Sequence, residues 1–355
     1  MSGAFLNRIE TAVPPHDVHR TFVAYAGARL ADARRQTLLR RMTERAQIEH
    51  RWSVLRPAES PETSAADAEG FYTPSRFPST AQRMQRYERE AGNLVVRALD
   101  KFGDQLEPAT VTHLLVASCT GHYAPGLDLE IVERCGLPRS VERTMLGFMG
   151  CHAGLAALRL ARHIVRSEPD ARVLVVCLEL CTLHLQDTDE LDELLSFALW
   201  GDGCAAAMVS GRPAGLALQR FHTLIAPAQQ ELVTWRIEDS GFAMFLSPRL
   251  PAAVTGMLRL QVRDILGNAP PGAITHWAVH PGGRSILDGA RGALDLAPEA
   301  LAHSRAVLAD YGNMSSATVL FVLERVMGTA RRGERGCALA FGPGLSAESA
   351  LFEAA

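Results

Sequence analysis

The chain contains two stretches that resemble each other in the same order, and this repeat constrains the fold more than any other feature of the sequence. THLLVASCTG at 112–121 is echoed by THWAVHPGG at 275–283, each an apolar strand pattern that ends in a small-residue turn. GCHAGLAAL, which begins at Gly150, is echoed by GNMSSATVL, which begins at Gly312, and a later RVLVVCLE is matched by CALAFGPG. The order predicts two related α/β units that pack as halves.

The repeat predicts an N-terminal half over residues 1–213 and a C-terminal half over residues 214–355. Within the first half, the hydrophobic pattern predicts strands at 112–117, 172–178 and 205–209, with helices between them. Equivalent elements of two such halves would bring their ends together near a pseudo-twofold axis. Residues far apart in sequence then become neighbours.

Segments before the repeat have distinct compositions. A helical pattern rich in arginine covers 21–51, a segment rich in Pro, Ser and Ala over 56–80 predicts a surface loop, and a helix follows over 80–102. The arginines indicate a solvated helix face or, alternatively, a site for phosphate groups, because guanidinium binds phosphate oxygens bidentately. Both interpretations stay open on these residues alone.

Composition excludes several classes of protein. The net charge is -3, with 47% hydrophobic and 21% charged residues, which is ordinary for a globular protein and gives no reason to expect nucleic acid as a partner. No apolar stretch reaches the length of a membrane span. The seven cysteines contain no CxxC pair, which favours reduced thiols, and we expect a cytoplasmic protein.

Two groups of residues have a spacing that allows metal binding. The acidic run at 187–194 is either the exposed start of a helix, where negative charge is favoured, or a set of metal ligands. His276 and His280 are four residues apart, which on a strand places them too far apart for one zinc ion. We favour the structural interpretation in both cases and expect no metal and no cofactor.

Cys151 is the candidate nucleophile. It follows Gly150 and opens a run of helical period, which places it at or near a helix N-terminus, where backbone N–H groups and the helix dipole favour a thiolate. Gly147 and Gly150 allow a sharp turn and a close approach of substrate. The alternative is a small buried hydrophobic residue, which free cysteine usually is.

Two further residues are predicted to join Cys151 if the halves pack as the repeat indicates. His280 lies at the end of an apolar strand, where an imidazole can stabilise a thiolate by forming an ion pair. Asn313 follows Gly312 at a helix start, where it is either a helix cap or a donor to a developing oxyanion. Cys, His and Asn occur together in cysteine proteases and in carbon–carbon condensing enzymes.

Four motifs carry a specific resemblance. GFMGCHAG, WAVHPGGRSIL, YGNMSSAT and AFGPGLS, in this order, resemble the signatures of type III polyketide synthases, the chalcone and stilbene synthase family of the thiolase superfamily. ALWGDGCAAAMVSG is similar to that family's GDGAAA strand. The resemblance implies a thiolase-like αβαβα fold, a homodimer, a triad of Cys151, His280 and Asn313, and coenzyme A thioesters as substrates. An acyl-CoA starter would load on Cys151 and be extended by decarboxylative condensation with malonyl-CoA, and the chain would then cyclise.

The resemblance also implies a set of cavity residues. Trp200 and Met244 match two gatekeeper phenylalanines, so bulk is redistributed within the cavity. Ala124 matches a methionine that reaches across the dimer. The remaining cavity candidates are Cys119, Thr120, Ser315, Gly342 and Pro343.

The implied coenzyme A site is basic. Arg41 and Arg45 match two positively charged positions, and Gly282 and Gly283 complete the candidate site. The first cationic position of the family falls at Leu38, where Arg40 or Arg35 would have to compensate.

Three alternatives remain on the sequence alone. The first is a ketoacyl synthase-like enzyme that performs a single condensation, and the second is a Cys-His-Asn acyltransferase or hydrolase. The third is a catalytically silent scaffold, against which the intact triad argues.

Overall fold

The computed structural model describes residues 3–58, 66–73, 76–267 and 269–355. Their helices are α1 (His19–Arg29), α2 (Ala33–Ala46), α3 (Thr80–Leu99), α4 (Leu127–Arg134), α5 (Ala153–Ser167), α6 (Leu191–Phe197), α7 (Leu250–Leu266), α8 (Arg284–Ala293), α9 (Ala302–Tyr311) and α10 (Thr318–Met327). Their strands are β1 (Phe5–Ala12), β2 (His16–Asp17), β3 (Trp52–Ser53), β4 (His113–Ser118), β5 (Glu142–Gly147), β6 (Arg172–Leu180), β7 (Asp202–Ser210), β8 (Leu216–Ile225), β9 (Val233–Glu238), β10 (Gly241–Leu246), β11 (His276–Val279), β12 (Arg335–Gly342) and β13 (Ser346–Ala354). None of the described helices is long and apolar enough to cross a bilayer.

A nine-stranded mixed sheet runs through both halves in the order β11-β12-β13-β8-β1-β7-β6-β4-β5. In the N-terminal half β4 is parallel to β6, which is antiparallel to β7. In the C-terminal half β11 is parallel to β12, which is antiparallel to β13. The two halves therefore repeat one strand pattern, as the sequence repeat predicts. Strand β1 joins them, because it pairs with both β7 and β8.

Alternation along the strands separates the core into layers. Leu114 and Val116 of β4 belong to the core that includes the outer helices α3 and α4, whereas Leu115 and Ala117 belong to the core that includes the central helices α5 and α10. On the C-terminal side, the central helices meet the small side chains of β11 to β13, and α7 and α8 cover the opposite face. The N-terminal and C-terminal parts of the sheet form two layers, with the central helices between them and the other helices outside. This order, helix, sheet, helix, sheet, helix, is the αβαβα thiolase-like fold.

The two central helices approach closely because the residues at their contact are small. Gly154, in the first turn of α5, packs against the backbone that leads into α10, and a Cβ at this position would lie 2.5 Å from the carbonyl oxygen of Ser316. The α5 N-terminus and residues 313–317 therefore reach the same point, although they are far apart in sequence.

Several predicted elements are confirmed. The strands predicted at 112–117, 172–178 and 205–209 are β4, β6 and β7; β4 is shifted by one residue, β6 ends two residues later, and β7 begins three residues earlier and ends one later. The helix predicted at 80–102 is α3, which begins at a capping box formed by Ser79 and Gln82 and ends at Leu99, where a short 3-10 helix continues.

Other predictions need correction. The helical pattern at 21–51 is two helices, α1 and α2, because the chain is extended at Leu30 and Asp32 caps the second helix. Part of the loop predicted at 56–80 lies outside the described residues. The central strand β1 was not predicted, although its pattern FLNRIETA contains buried residues on both faces.

We predict that Gly154→Ala lowers the free energy of unfolding by about 1–3 kcal/mol, because the added methyl group meets backbone rather than a movable side chain. Denaturant unfolding of purified protein measures this change. Gly256→Ala in α7 is the matched control, because nothing lies within 4 Å of its added Cβ, and it is expected to leave stability unchanged or slightly raised. Equal stabilities for the two variants would contradict the close approach described above.

Candidate functional site

A cavity lies where the two halves meet, and it contains every residue of the predicted triad. Two thiols beside Cys151 also line it, from Cys119 and Cys181. The full lining is Cys119, Thr120, Gly150, Cys151, Cys181, Phe197, Trp200, Val233, Trp235, Met244, Leu246, Leu250, Val254, His280, Gly282, Ile286, Asn313, Ser315, Phe341, Gly342 and Pro343. All seven residues predicted for the cavity are among them.

Cys151 lies in the turn that precedes α5, two residues before the helix begins. Gly150 adopts a positive φ of 77°, and a Cβ there would meet the ring of Pro343 at 2.2 Å, so both backbone conformation and space require glycine. Burial raises the pKa of the Cys151 thiol to about 12, while hydrogen bonds from the Ser315 and Asn313 side chains act in the opposite direction. Burial therefore opposes the thiolate that the helix N-terminus favours, and the charged form needs a further stabilising group such as the predicted imidazole.

Asn313 is held by its backbone and by its side-chain oxygen. Its N–H donates to the carbonyl of Leu199 (2.8 Å), and its own carbonyl accepts from Gly201 (3.0 Å). The side-chain Oδ1 accepts from the N–H of Ser315 (2.9 Å). The local capping role and a role toward the cavity are thus compatible, since the oxygen is used locally and the amide Nδ2 is left for the cavity.

His280 follows the last residue of β11 and is 1% exposed. Its backbone N–H donates to the carbonyl of Leu339 (2.7 Å), which continues the pairing of β11 with β12. Neither ring nitrogen has a hydrogen-bond partner within the described part of the chain. Burial lowers the pKa of this imidazole to about 3, so the ring is neutral and offers one N–H donor and one acceptor.

A buried carboxylate supports the cavity wall from behind. Glu179, near the end of β6, accepts hydrogen bonds from the backbone N–H of Cys119 (2.9 Å), from Thr120 Oγ1 (2.7 Å) and from Ser316 Oγ (2.5 Å). Cys119 and Thr120 belong to the N-terminal half, whereas Ser316 belongs to the C-terminal half. Glu179 therefore joins the two halves beside the triad, and burial raises its pKa to about 7.

The β9–β10 hairpin forms another wall of the cavity. Trp235 and Met244 are directly opposite each other in this hairpin, and both line the cavity. The indole Nε1 of Trp235 donates to the carbonyl of Cys119 (2.8 Å), which fixes the ring.

His184 attaches that hairpin to the cavity wall. Its Nδ1 accepts from the N–H of Phe242 (3.0 Å), and its Nε2 is 2.7 Å from the carbonyl oxygen of Thr120, so Nε2 carries the proton. The ring stacks on Phe242 with centroids 4.3 Å apart. Burial lowers the pKa of His184 to about 3, which keeps this neutral tautomer.

Trp200 is buried and lines the cavity, as expected of a gatekeeper position. Its backbone carbonyl accepts from Arg51 Nη1 (2.7 Å), which also donates to the carbonyl of Phe197 (2.9 Å). Arg51 is only 2% exposed, and its guanidinium lies 4.7 Å from the ring centroid of Phe22. Neither interpretation of the arginine-rich segment 21–51 holds for Arg51, because this residue follows α2, is buried and positions the Trp200 segment.

The cavity opens into a wider cleft, which we call the mouth. The mouth shares Leu246, Leu250, Gly282 and Ile286 with the cavity. Its rim includes further residues from α2, α6 and α8, namely Met42, Thr43, Arg45, Ala46, Asp192, Leu195, Gly283, Arg284, Ser285 and Asp288.

Of the predicted coenzyme A residues, Arg45, Gly282 and Gly283 line the mouth, whereas Arg41 is exposed on α2 outside its lining. Arg284 was not predicted, and it donates to the carbonyl of Arg45 (3.0 Å). Arg35 is paired with Glu190 (3.0 Å), so it is not free to compensate for Leu38.

The alternative metal sites have ordinary structural roles. His276 Nε2 is 2.7 Å from a carboxylate oxygen of Glu334, away from the cavity that contains His280. In the acidic run, Asp187 pairs with Arg29 (2.7 Å), and the remaining carboxylates lie at the start of α6. Among the described residues, no group of three or more His, Cys, Asp or Glu is arranged to hold a metal ion.

Some of the unpredicted residues had a signal in the sequence. Glu179 is a charged residue in the otherwise apolar strand RVLVVCLEL, which indicates a satisfied buried carboxylate. Trp235, by contrast, required knowledge of the hairpin register, which short patterns do not give.

We predict that His184→Phe keeps the stack on Phe242 but leaves the Phe242 N–H and the Thr120 carbonyl without their partner. The expected loss is about 1–3 kcal/mol of unfolding free energy, with faster amide exchange in β9 and β10. Hydrogen-exchange mass spectrometry measures the second effect. His303→Phe, at a partly exposed site, is the control. Unchanged amide exchange in the β9–β10 hairpin of the His184 variant would contradict the attachment of the hairpin through His184.

Comparison with known proteins identifies the family. The family model described as chalcone and stilbene synthases, N-terminal domain, matches residues 3–213, and the corresponding C-terminal domain matches residues 217–355. A similar curated protein is the alpha-pyrone synthesis polyketide synthase-like Pks18 of Mycobacterium tuberculosis. It is 32% identical over 295 residues, which are 78% of this chain and 75% of that protein. The 1,3,6,8-tetrahydroxynaphthalene synthase of Streptomyces coelicolor is 33% identical over 282 residues, 77% of this chain and 75% of that one.

Solved structures agree with this assignment. The crystal structure of the Streptomyces coelicolor tetrahydroxynaphthalene synthase, a bacterial type III polyketide synthase, matches with a TM-score of 0.89 at 29% identity over 99% of both chains. PKS-I of the brown alga Ectocarpus siliculosus matches with a TM-score of 0.88 at 28% identity, over 100% of this chain and 99% of that one. The chain belongs to the chalcone and stilbene synthase family and is a type III polyketide synthase, an acyltransferase that catalyses decarboxylative Claisen condensation.

Proposed function

We propose that Cys151, His280 and Asn313 carry out this reaction, with an acyl-CoA starter and malonyl-CoA as substrates. The observation that supports the proposal is their convergence in one cavity, where neither ring nitrogen of His280 has a partner among the described residues and the amide nitrogen of Asn313 is left for the cavity. Unpartnered buried donors at such a place are suited to a substrate oxygen.

Loading begins when the Cys151 sulfur attacks the thioester carbonyl of the starter. His280 takes the thiol proton, and the resulting pair of opposite charges offsets part of the cost of burying each charge alone. Coenzyme A leaves as its thiol after receiving that proton, and the acyl group stays on Cys151 as a new thioester. Hydrogen bonds from Ser315 and Asn313 stabilise the sulfur while it is charged.

Extension uses the same donors on a second substrate. The thioester carbonyl of malonyl-CoA accepts hydrogen bonds from the neutral His280 ring and from Asn313 Nδ2, so that loss of CO₂ leaves an enolate with its charge on that oxygen. The carbanion attacks the acyl group on Cys151, a carbon–carbon bond forms, and the Cys151 thiolate is released for the next transfer. Since these donors belong to the protein, we propose that the enzyme needs no metal or organic cofactor.

The apolar walls set the space in which the poly-β-keto chain folds before it cyclises. Trp200 and Met244 take the gatekeeper positions, and Trp235 adds a ring fixed to the Cys119 carbonyl. At the mouth, Arg45, Arg284 and the first turn of α8 provide cationic groups and backbone N–H donors for the phosphates of coenzyme A. The seven cysteines are all free, which suits a reducing compartment such as the cytoplasm.

Incubation with malonyl-CoA and a panel of acyl-CoA starters tests the function. We expect iterative extension with release of CO₂, and peptide mapping should find the acyl group on Cys151 rather than on Cys119 or Cys181. Cys151→Ala is expected to abolish acyl loading while it still decarboxylates malonyl-CoA, whereas His280→Ala should lower decarboxylation about 100-fold, the scale of losing an oxyanion donor.

Each alternative predicts a different result. Release of free acid without CO₂ would identify a hydrolase, and a single extension that requires an acyl carrier protein would identify a ketoacyl synthase-like enzyme. Acyl mass that persists on cavity cysteines of the Cys151→Ala variant would overturn the nucleophile assignment.

We also propose that the enzyme is a homodimer that pairs through β5. This strand is at the edge of the sheet, yet it is mostly exposed and contains the apolar sequence TML. Met145 and Met149 are 40% and 37% exposed, and Met145 lies beside a groove that includes Ala124. An uncovered edge strand with apolar side chains is a ready surface for a second copy of the chain.

Met145→Arg is expected to shift the protein from dimer to monomer at micromolar concentration, because a charge would be buried at the centre of the interface. Sedimentation velocity measures the change. Ile237→Arg is the matched control, since Ile237 is 62% exposed on β9. A wild-type protein that sediments as a monomer would refute the proposal.

A further inference from the structure

Helix α2 presents an unusual exposed surface beside the mouth. Leu38 and Met42 are 45% and 43% exposed, and because they are four residues apart they form one apolar ridge on the same helix face. We call these two residues the α2 ridge. Met42 also lines the mouth, so the ridge borders the route to Cys151.

Arginines surround the ridge. In the described part of the chain, the side chains of Arg34, Arg40, Arg41 and Arg45 make no hydrogen bond and no ion pair, and all four are exposed. Arg34 and Arg45 lie four residues before Leu38 and three after Met42, which places them at its ends.

The opposing charges nearby are few. Glu44 is on the same helix, and α6 packs against α2 and carries Asp192 and Glu193 in its first turn. Helix α2 therefore carries four arginines without a side-chain partner among the described residues, in a chain whose net charge is -3.

A nucleotide accounts for only part of this surface, since of its four arginines only Arg45 lines the mouth and is proposed above to bind the phosphates of coenzyme A. The phosphates of coenzyme A need cations, and Leu38 stands where the family pattern has the first of them. Exposed apolar side chains framed by unpaired arginines are instead the composition of a protein interface that meets an acidic partner. An acidic protein that docks here would lie at the opening through which a thioester must pass.

We propose that the α2 ridge and its arginines form a docking surface for an acidic acyl carrier protein, which delivers its acyl group through the mouth on a phosphopantetheine arm. The proposal rests on the function proposed above. In the transfer, the Cys151 sulfur attacks the thioester carbonyl, the new carbon–sulfur bond forms, and the carrier's pantetheine sulfur leaves as a thiol with the proton that Cys151 lost.

The test compares three donors of one acyl group with the full-length enzyme. They are a hexanoyl-loaded bacterial acyl carrier protein, hexanoyl-CoA, and hexanoyl N-acetylcysteamine, which has neither phosphates nor a protein. Intact-protein mass spectrometry measures the rate of acylation. We expect Leu38→Ser to slow transfer from the carrier protein about tenfold, the factor for losing one buried leucine contact, and to leave the other two rates within twofold.

Leu260→Ser is the matched control, because Leu260 is 82% exposed on α7, and it should change none of the three rates. The salt dependence of acyl transfer by the unmodified enzyme is a second test of the docking surface. Transfer from the carrier protein should slow steeply as salt rises, whereas transfer from the N-acetylcysteamine thioester should not.

The outcomes separate this proposal from the proposed function. If none of the donors acylates Cys151, the function itself fails. If hexanoyl-CoA acylates Cys151 but the carrier protein transfers no faster than the N-acetylcysteamine thioester, only the docking surface fails. Parallel losses with carrier protein and coenzyme A in Leu38→Ser, or binding to phosphatidylglycerol vesicles that this variant abolishes, would also overturn the proposal.

Discussion

The contact between the start of α5 and the segment before α10 is the interaction on which the site depends. Gly154 allows the backbone at Ser316 to approach to a distance that a side chain would prevent. This contact places Cys151, from one half of the chain, beside Asn313, from the other half. Glu179 stabilises this contact, because its carboxylate accepts hydrogen bonds from residues of both halves. A buried carboxylate satisfied in this way fixes geometry, since moving either half would leave it without a partner.

Buried polar groups elsewhere in the molecule fix the walls of the same cavity. Arg51 holds the segment that contains Trp200, and His184 holds the hairpin that contains Met244. Both are removed from water, so each lost hydrogen bond leaves an unsatisfied group at a cost of about 1–3 kcal/mol. The cavity-lining side chains of Trp200 and Met244 are therefore positioned by residues that do not line the cavity themselves. Substitution of such residues can change cavity shape without changing cavity composition.

Sequence reasoning succeeded where a local pattern and the repeat agreed. That Cys151, His280 and Asn313 line one cavity could be predicted because each lies at the end of an element in one of two matching halves, and the matching halves meet. Arg51 and His184 could not be assigned, because their roles depend on carbonyl and N–H groups more than fifty residues away. The opposing effect of burial on the Cys151 thiolate could not be predicted for a related reason. The degree of burial around Cys151 is a property of the packed halves and not of the GCHAG segment.

Burial also explains why neutral groups suit this chemistry. An apolar cavity disfavours isolated charges, which is why the pKa of the Cys151 thiol is raised and that of His280 is lowered. The same environment strengthens hydrogen bonds from neutral donors to a charge that develops only during the reaction. A permanently charged imidazolium would bind an anion in the ground state as well as in the transition state. In the mechanism proposed above, a neutral ring beside a neutral carboxamide directs its stabilisation to the enolate, at the step where CO₂ is lost.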